Sequence, residues 1–364
     1  MINPASVLAM QKKLPADTKR LADVFMSKAG IGRRYLFGRN EHSAAIAKAI
    51  DVDGFVDDYA EKGFVWNEKP VINSNSVPGR AIVVNCSMCN MPVTASQKIQ
   101  KLGIAGYLSY SDLCHAQPDL IPLPNFVANT QTDIKENEKK WETLSAALYD
   151  DQSKKVLDDI LRFRLTGNYD SMMSYSFRPR EQYFEDFLGL GSQDVFVDAG
   201  GFDGDTTEEF CKRYPAYRKV YLFEPSLSNL DKAKTRLKNH RDIEFIPFGL
   251  SDAEGELQFN AEGGSASCVS SSGSCRINVT TIDRYIDEKV TFIKMDLEGW
   301  ELKALQGAKR HITEDKPALA IAVYHNASDF WQVFEYVTSL RRDYRVFLRH
   351  YTEGWSETVM YFIS

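Results

Sequence analysis

A short apolar run, Val195, Phe196 and Val197, stops at Asp198, and a glycine-rich turn follows at once through Gly200, Gly201 and Gly204. Thr206 and Thr207 then open a helix-like segment. A strand ending in an acidic residue, a tight glycine turn and a helix start are the parts that hold a nucleoside-bearing cofactor at the carboxyl edge of a parallel sheet.

The pattern around this feature repeats. Strands are expected at residues 195–197, 220–223, 243–247, 292–295 and 319–323, with helices at 207–214, 227–239, 300–311 and 328–340 between them. Strands that alternate with helices imply a doubly wound parallel sheet. Residues 345–349 and 357–362 close the chain as a hairpin, which requires one antiparallel strand. Residues 263–274 are poor in apolar side chains and read equally as a lid over the site or as an insertion loop.

The first half carries a weaker copy of the alternation. Residues 1–30 read as an N-terminal helical segment. Strands at 34–38, 54–57, 81–85 and 106–109, with helices at 43–50 and 94–102, read as a small Rossmann-like domain over 31–125. Asp57 lies nineteen positions after Gly38, near the spacing of a ribose-binding carboxylate, but the second and third glycines of a dinucleotide turn are missing. A structural or substrate-presenting role is therefore preferred over nucleotide binding. Pro118, Pro122 and Pro124 break the chain, and helices expected at 133–149 and 153–165 make residues 126–180 a helical linker to a C-terminal domain over 181–364.

Bulk properties narrow the partners. At 364 residues the chain has room for about two domains. A formal charge of -6 argues against a nucleic-acid partner, because binding phosphates needs a positive field. No run is long and apolar enough to span a bilayer, and the first residues do not read as a signal peptide. The Cys86–Cys89 pair forms a CxxC without a second half, so it and the other cysteines read as reduced thiols rather than zinc ligands. Thiols without a signal point to the cytoplasm. Two glycosylation sequons, at 278–280 and 326–328, would then never be modified. A homo-oligomer is compatible with all of this.

The strand ends carry the chemistry. They are Asp198 with its turn, Glu224–Pro225, Ser251–Asp252 after the third strand, Asp296 and Glu298 after the fourth, and Tyr324–His325 after the fifth. So many acids on one edge repel one another unless a ligand is present. Glu224 lies 26 positions beyond Asp198, one βαβ unit away, where a carboxylate accepts both ribose hydroxyls. A dinucleotide would bring a pyrophosphate to a helix start free of acid. Here Asp203 and Asp205 occupy the turn. They favour S-adenosylmethionine, whose amino-acid end carries an ammonium and whose sulfur is a sulfonium.

Several segments together resemble the FkbM family of S-adenosylmethionine-dependent methyltransferases: VDAGGFDGDT (197–206), FEP (223–225), GLSDAEG (249–255), TTIDRY (280–285), IKMDLEGWELKALQGA (293–308), AVYHNASDFW (322–331) and FLRHYTEGWSETVMY (347–361). The resemblance implies a class I methyltransferase fold with a seven-stranded sheet whose last strand is antiparallel, preceded here by the smaller α/β domain. It implies that Asp198 and the Gly200–Gly204 turn, with Phe202, Asp203 and Thr206, hold the amino-acid end of the donor. It places Glu224 and Pro225 at the ribose and Ser251 and Asp252 near the adenine. The carried-over reaction is O-methylation of a hydroxyl on a sugar, nucleotide sugar or glycan intermediate.

A neutral alcohol is a weak nucleophile, so a base is needed. His325 is the first candidate, since an ordinary imidazole titrates near neutrality. Asp296 and Glu298 would orient it, bind the acceptor, or hold a divalent ion; a required metal is not favoured. Tyr324, His350 and Tyr351 are candidate substrate contacts. Phe202, Tyr324 and Trp300 are candidate aromatic partners for the sulfonium. Two other readings stand beside this one: a non-catalytic ligand-binding or regulatory protein on the same fold, and a dehydrogenase using the first domain.

Overall fold

The computed structural model describes residues 14–27, 33–260, 268–269 and 275–364. The chain divides into two units: Met1–Asn137 with Leu157–Phe177 and Thr352–Ser356, and Glu138–Val156 with Arg178–Tyr351 and Glu357–Ser364.

The first unit begins with α1 (Ala16–Met26), β1 (Arg33–Phe37), α2 (Glu41–Ala49), β2 (Gly54–Val56), β3 (Val65–Trp66) and β4 (Lys69–Ile72). It continues with β5 (Ala81–Asn85), α3 (Pro92–Gln100), β6 (Gly106–Ser109) and α4 (Tyr110–Ala116). The strands form a six-stranded sheet in the order β3-β4-β2-β1-β5-β6, parallel except for β3. The β3–β4 hairpin has no counterpart in the sequence reading. Its two turn residues, Asn67 and Glu68, both take positive φ (46° and 62°), the conformation of a tight primed turn that usually announces itself with glycine.

Asp57 is hydrogen-bonded by the Arg39 Nε at 2.6 Å and by the Tyr59 backbone N–H at 2.9 Å. The carboxylate expected at a ribose is thus already engaged. A cavity of about 540 Å³ beside β6 is lined by Ser96, Gln100, Tyr107, Ser109, His115 and Tyr169, among others, and by no lysine or arginine among the described residues. This cavity therefore offers a phosphate no charged side-chain partner among the described residues.

Two helices follow, α5 (Asn125–Ala147), which loses helical geometry at Asn137, and α6 (Asp151–Thr166). Both are divided between the units, with Asn137 as the last residue on the first side.

The second unit runs β7 (Val195–Ala199), α7 (Asp205–Arg213), β8 (Lys219–Phe223), α8 (Leu227–Arg236) and β9 (Ile243–Ile246). A small sheet comes next: β10 (Gly249–Leu250), β11 (Gly255–Asn260), β12 (Cys268–Val269) and β13 (Cys275–Thr280). Then come α9 (Ile282–Tyr285), β14 (Phe292–Met295), α10 (Glu301–Gln306), α11 (Lys309–Glu314), β15 (Ala318–Ala322), α12 (Asp329–Leu340), β16 (Arg345–His350) and β17 (Thr358–Ile363). The main sheet has seven strands in the order β16-β17-β15-β14-β7-β8-β9, with β17 antiparallel to both neighbours. This is the class I methyltransferase sheet. The small sheet, ordered β10-β13-β11-β12, lies outside the sequence reading, and most of the expected lid or insertion loop falls outside the described residues.

Strands β7 and β14 are buried along their whole length, which explains their near-continuous apolar runs. Phe196 stacks on Phe292 at 4.9 Å and packs on Phe210 of α7 at 4.5 Å between ring centroids. Two charges interrupt this interior: Asp198 of β7 and Lys294 of β14, direct neighbours in the parallel register. Buried charges are tolerated when paired, and Lys294 Nζ sits 3.0 Å from Asp198 Oδ1. The chain fills one side of β7 first and then the other. The switch point therefore falls between β7 and β14, the place where open α/β sheets bind ligands. No helix among the described residues is long and apolar enough to cross a membrane.

Candidate functional site

Asp198 is fully buried. One carboxylate oxygen meets Lys294, and the other accepts from the Thr207 hydroxyl at 2.7 Å. Lys294 also donates to the Gly200 carbonyl at 2.7 Å. Burial acts to lower the Lys294 ammonium, but Asp198, with Asp296 behind it, holds it above the ordinary lysine range. Asp198 is therefore a brace for the turn. The expectation that it grips the donor directly finds no support in this placement, because the side chain is wholly buried, with Lys294 on one oxygen and Thr207 on the other.

The turn itself is held against the strands. A Cβ on Gly200 would lie 2.0 Å from the Asp296 carbonyl, and one on Gly201 2.4 Å from Leu222, so neither position accepts a side chain. The N–H groups of both glycines donate to the Phe223 carbonyl at 3.0 Å. They bring the backbone close without aiming donors at a ligand. Phe202 takes a positive φ of 45° and donates its N–H to Glu224 Oε2 at 3.0 Å. The other Glu224 oxygen accepts from the Ser226 N–H at 2.8 Å, just after Pro225. Burial raises the Glu224 carboxyl while these two backbone bonds oppose it. Each oxygen keeps acceptor capacity for a further partner.

Asp203 pairs with Arg236 at 2.5 Å. Its charge is offset, so it does not repel a phosphate as the sequence suggested. The case against a diphosphate rests instead on the cations, since Lys294 and Arg236 are both committed to acids of the turn. Thr206 donates its N–H to Asp205 at 2.7 Å, a bond local to the helix start. Ser251 donates to Asp252 at 3.1 Å and accepts from the Trp300 indole at 3.2 Å, while Asp252 pairs with Lys303 at 2.7 Å.

The ends of β14 and β15 are arranged differently. His325 Nε2 lies 3.4 Å from Asp296 Oδ1 and 3.4 Å from Glu298 Oε2, and Nδ1 lies 3.0 Å from Glu301 Oε1. Asp296 also accepts from the Tyr183 hydroxyl at 2.8 Å and the Tyr324 hydroxyl at 3.3 Å. Asp329 accepts from the Asn326 N–H at 2.8 Å, and Glu357 accepts from Gln182 at 2.6 Å. Burial alone would lower the imidazole of His325, but Glu301, Asp296 and Glu298 outweigh it and push it up to about 10. Burial, with Asp296 and Glu301 adding to it against the pull of His325, pushes Glu298 up to about 7. Burial and Glu301 push Asp329 up to about 7, and burial and Asp296 do the same for Glu357.

These acids favour the charged ring, which has no lone pair with which to accept a proton from an alcohol, and so weigh against the role expected for His325. The structure does bring together His325, Asp296, Glu298 and Tyr324. It does not bring Tyr351 to them: that side chain is wholly buried, with its hydroxyl donating to Glu185 at 2.7 Å. His350 is buried as well, its Nδ1 3.0 Å from the Thr358 hydroxyl. Neither is placed as a substrate contact. Among the described residues, two groups have donor atoms within 4.8 Å of one another in an arrangement that could hold a metal ion: Asp296, Glu298 and His325, and Glu301, His325 and Asp329.

The sequence reading missed Lys294, Gln182, Tyr183, Glu301, Asp329 and Glu357. Glu301 and Asp329 each open a helix just after a site strand, a position that could have flagged them. Tyr183 is 113 positions from Asp296, with no motif around it.

Residues 198–352 match the family model of the methyltransferase FkbM domain. Among solved structures, the chain is similar to the methyltransferase FkbM from Methylobacillus flagellatus KT, at 25% identity and a TM-score of 0.75, with 99% of this chain and 97% of that one covered. An rRNA methylase from Streptococcus thermophilus is similar over 49% of this chain and 90% of its own, at 20% identity and a TM-score of 0.34. A SAM-dependent methyltransferase from Aquifex aeolicus is similar over 54% of this chain and 99% of its own, at 14% identity and a TM-score of 0.31. No curated protein matches the chain.

Proposed function

We propose that this chain, whose residues 198–352 are an FkbM methyltransferase domain, is an S-adenosylmethionine-dependent O-methyltransferase acting on a hydroxyl of a sugar or glycan intermediate. The observation that carries the donor assignment is the Glu224 carboxylate, buried to 6% exposure at the end of β8 with one backbone N–H on each oxygen. It suits a pair of ribose hydroxyls. The neighbouring turn suits a cationic amino-acid end better than a phosphate, since Lys294 and Arg236 are already paired. When bound, S-adenosylmethionine supplies an electrophilic methyl group on its sulfonium.

The chain's own residues do the rest. Lys294 and Asp198 fix the turn from within the sheet. Ser251, Asp252 and Trp300 form one hydrogen-bonded set beside the third strand end, where an adenine is expected. Asp296 and Glu298 face the acceptor as carboxylates, able to orient its hydroxyl and to receive its proton. His325 holds those two carboxylates in place from one side. The hydroxyls of Tyr183 and Tyr324 fix Asp296 from the other. Carbohydrate is preferred as acceptor because polar carboxylates and tyrosine hydroxyls line this edge and pair well with sugar hydroxyls.

The test is transfer of a labelled methyl group from S-adenosylmethionine to a panel of sugars, nucleotide sugars and glycans. Transfer to a hydroxyl supports the reading. Tight donor binding with no transfer to any member would favour the ligand-binding alternative.

A further inference from the structure

We propose that Asp296, Glu298 and His325 form a binding site for a divalent cation at the acceptor end of the sheet. The distances fit. Ligand atoms in adjacent positions around an ion with bonds of about 2.1 Å lie about 3 Å or a little more apart. His325 Nε2 is 3.4 Å from Asp296 Oδ1 and 3.4 Å from Glu298 Oε2.

The second observation is the state of the ring. The His325 side chain is 8% exposed, yet neither ring nitrogen makes a hydrogen bond of acceptable geometry. A buried imidazole left in that state is costly. At 3.4 Å both oxygens stand too far from Nε2 for a good hydrogen bond and close enough to share an ion with it. On the far side of the ring, Glu301 Oε1 lies 3.0 Å from Nδ1, near enough to accept the Nδ1 proton once an ion on Nε2 sets the ring orientation. The second Glu301 oxygen is buried and without a hydrogen bond.

Charge points the same way. Five acids, Asp296, Glu298, Glu301, Asp329 and Glu357, surround one histidine, while Lys294 is committed to Asp198. The Asp296→Asn and Glu298→Gln variants below distinguish this group from the neighbouring one of Glu301, His325 and Asp329. Mixed imidazole and carboxylate donors suit Mn²⁺ and similar first-row ions better than Ca²⁺. With the ion in place, His325 again has no lone pair for the acceptor. The ion supplies Lewis acidity toward the acceptor hydroxyl. Only this use of the ion rests on the methyltransferase reading; the site itself does not.

The experiment is a titration of the chelator-treated full chain with Mn²⁺, following free ion by electron paramagnetic resonance, without donor or acceptor. One Mn²⁺ per chain is expected, weakened at least about tenfold in Asp296→Asn and in Glu298→Gln. Asp51→Asn, in an exposed carboxylate that pairs with Lys69, should bind Mn²⁺ like the wild type. No binding up to about 1 mM, or binding unchanged in both site variants, overturns the proposal. S-adenosylhomocysteine calorimetry on the same sample separates the two claims. Donor product bound without Mn²⁺ sinks the ion site alone, and Mn²⁺ bound without donor product sinks the donor assignment alone. Thermal melting of each variant shows that it is folded, and Glu298→Gln keeps the test available if Asp296→Asn is not.

Discussion

The two halves of one sheet edge handle negative charge in opposite ways. At the ends of β7 and β8, and in the loop after β10, acids have a basic partner: Asp198 with Lys294, Asp203 with Arg236, Asp252 with Lys303. Glu224 and Asp205 are exceptions: Glu224 is satisfied by two backbone N–H groups, and Asp205 accepts from the Thr206 N–H. At the ends of β14 and β15, five acids share a single histidine, and three of them are pushed up to about 7. Paired acids stabilise the turn of the proposed donor site. Crowded acids are costly for the fold, and that cost falls at the proposed acceptor end.

The sharpest way to break this contrast is Lys294→Met. It leaves Asp198 buried and uncompensated, and should cost about 3–5 kcal/mol in denaturant unfolding. Adding Asp198→Asn should restore at least half of the loss. Unchanged stability in the single variant would mean that the ion pair is not holding the turn.

The pH dependence of stability tests the other half. Glu357 is pushed up to about 7 from the ordinary glutamate value of 4.5. The unfolded chain therefore releases this proton first as pH rises. The contribution is fully present below about 4.5 and is lost as pH climbs through about 7, about 3 kcal/mol. Glu357→Gln should flatten that slope, measured on chelator-treated protein. A slope unchanged by the substitution would place the titration elsewhere.

Smaller effects sharpen the picture. Asp296→Asn removes one of the crowded charges, so the ion-free protein should gain about 1 kcal/mol while methyl transfer falls at least about a hundredfold. A loss of both together would make Asp296 a structural residue. Lys303→Ala should change stability by less than about 0.5 kcal/mol, because its pair with Asp252 is exposed on both sides.

Legibility in the sequence followed the same division. The strands of the large sheet and its antiparallel member were readable, because buried parallel strands are continuous apolar runs between glycine and acid punctuation. The helix expected over 300–311 is two, broken where the Gly307 backbone packs so close to the Ser251 carbonyl that a Cβ would lie 2.0 Å from it. Such a contact joins distant segments and leaves no local mark. Lys294 is a charge inside FIKM that the sequence reading passed over, and only the register with β7 supplies its partner. The acids of the site were visible as strand ends. Which were neutralised was not, since Arg236 lies 33 residues from Asp203 and Lys303 lies 51 from Asp252. His325 was found for its position, but its charge state was not legible, because it is set by three carboxylates of the preceding strand end, Asp296, Glu298 and Glu301, that only the fold brings around the ring.

The most direct measurement is calorimetric titration of S-adenosylhomocysteine into the wild type and into Glu224→Ala. The account predicts one molecule bound per chain, with affinity falling at least about tenfold in the variant as charge-assisted bonds to the ribose are lost. No binding to the wild type, or equal affinity in both, would contradict it.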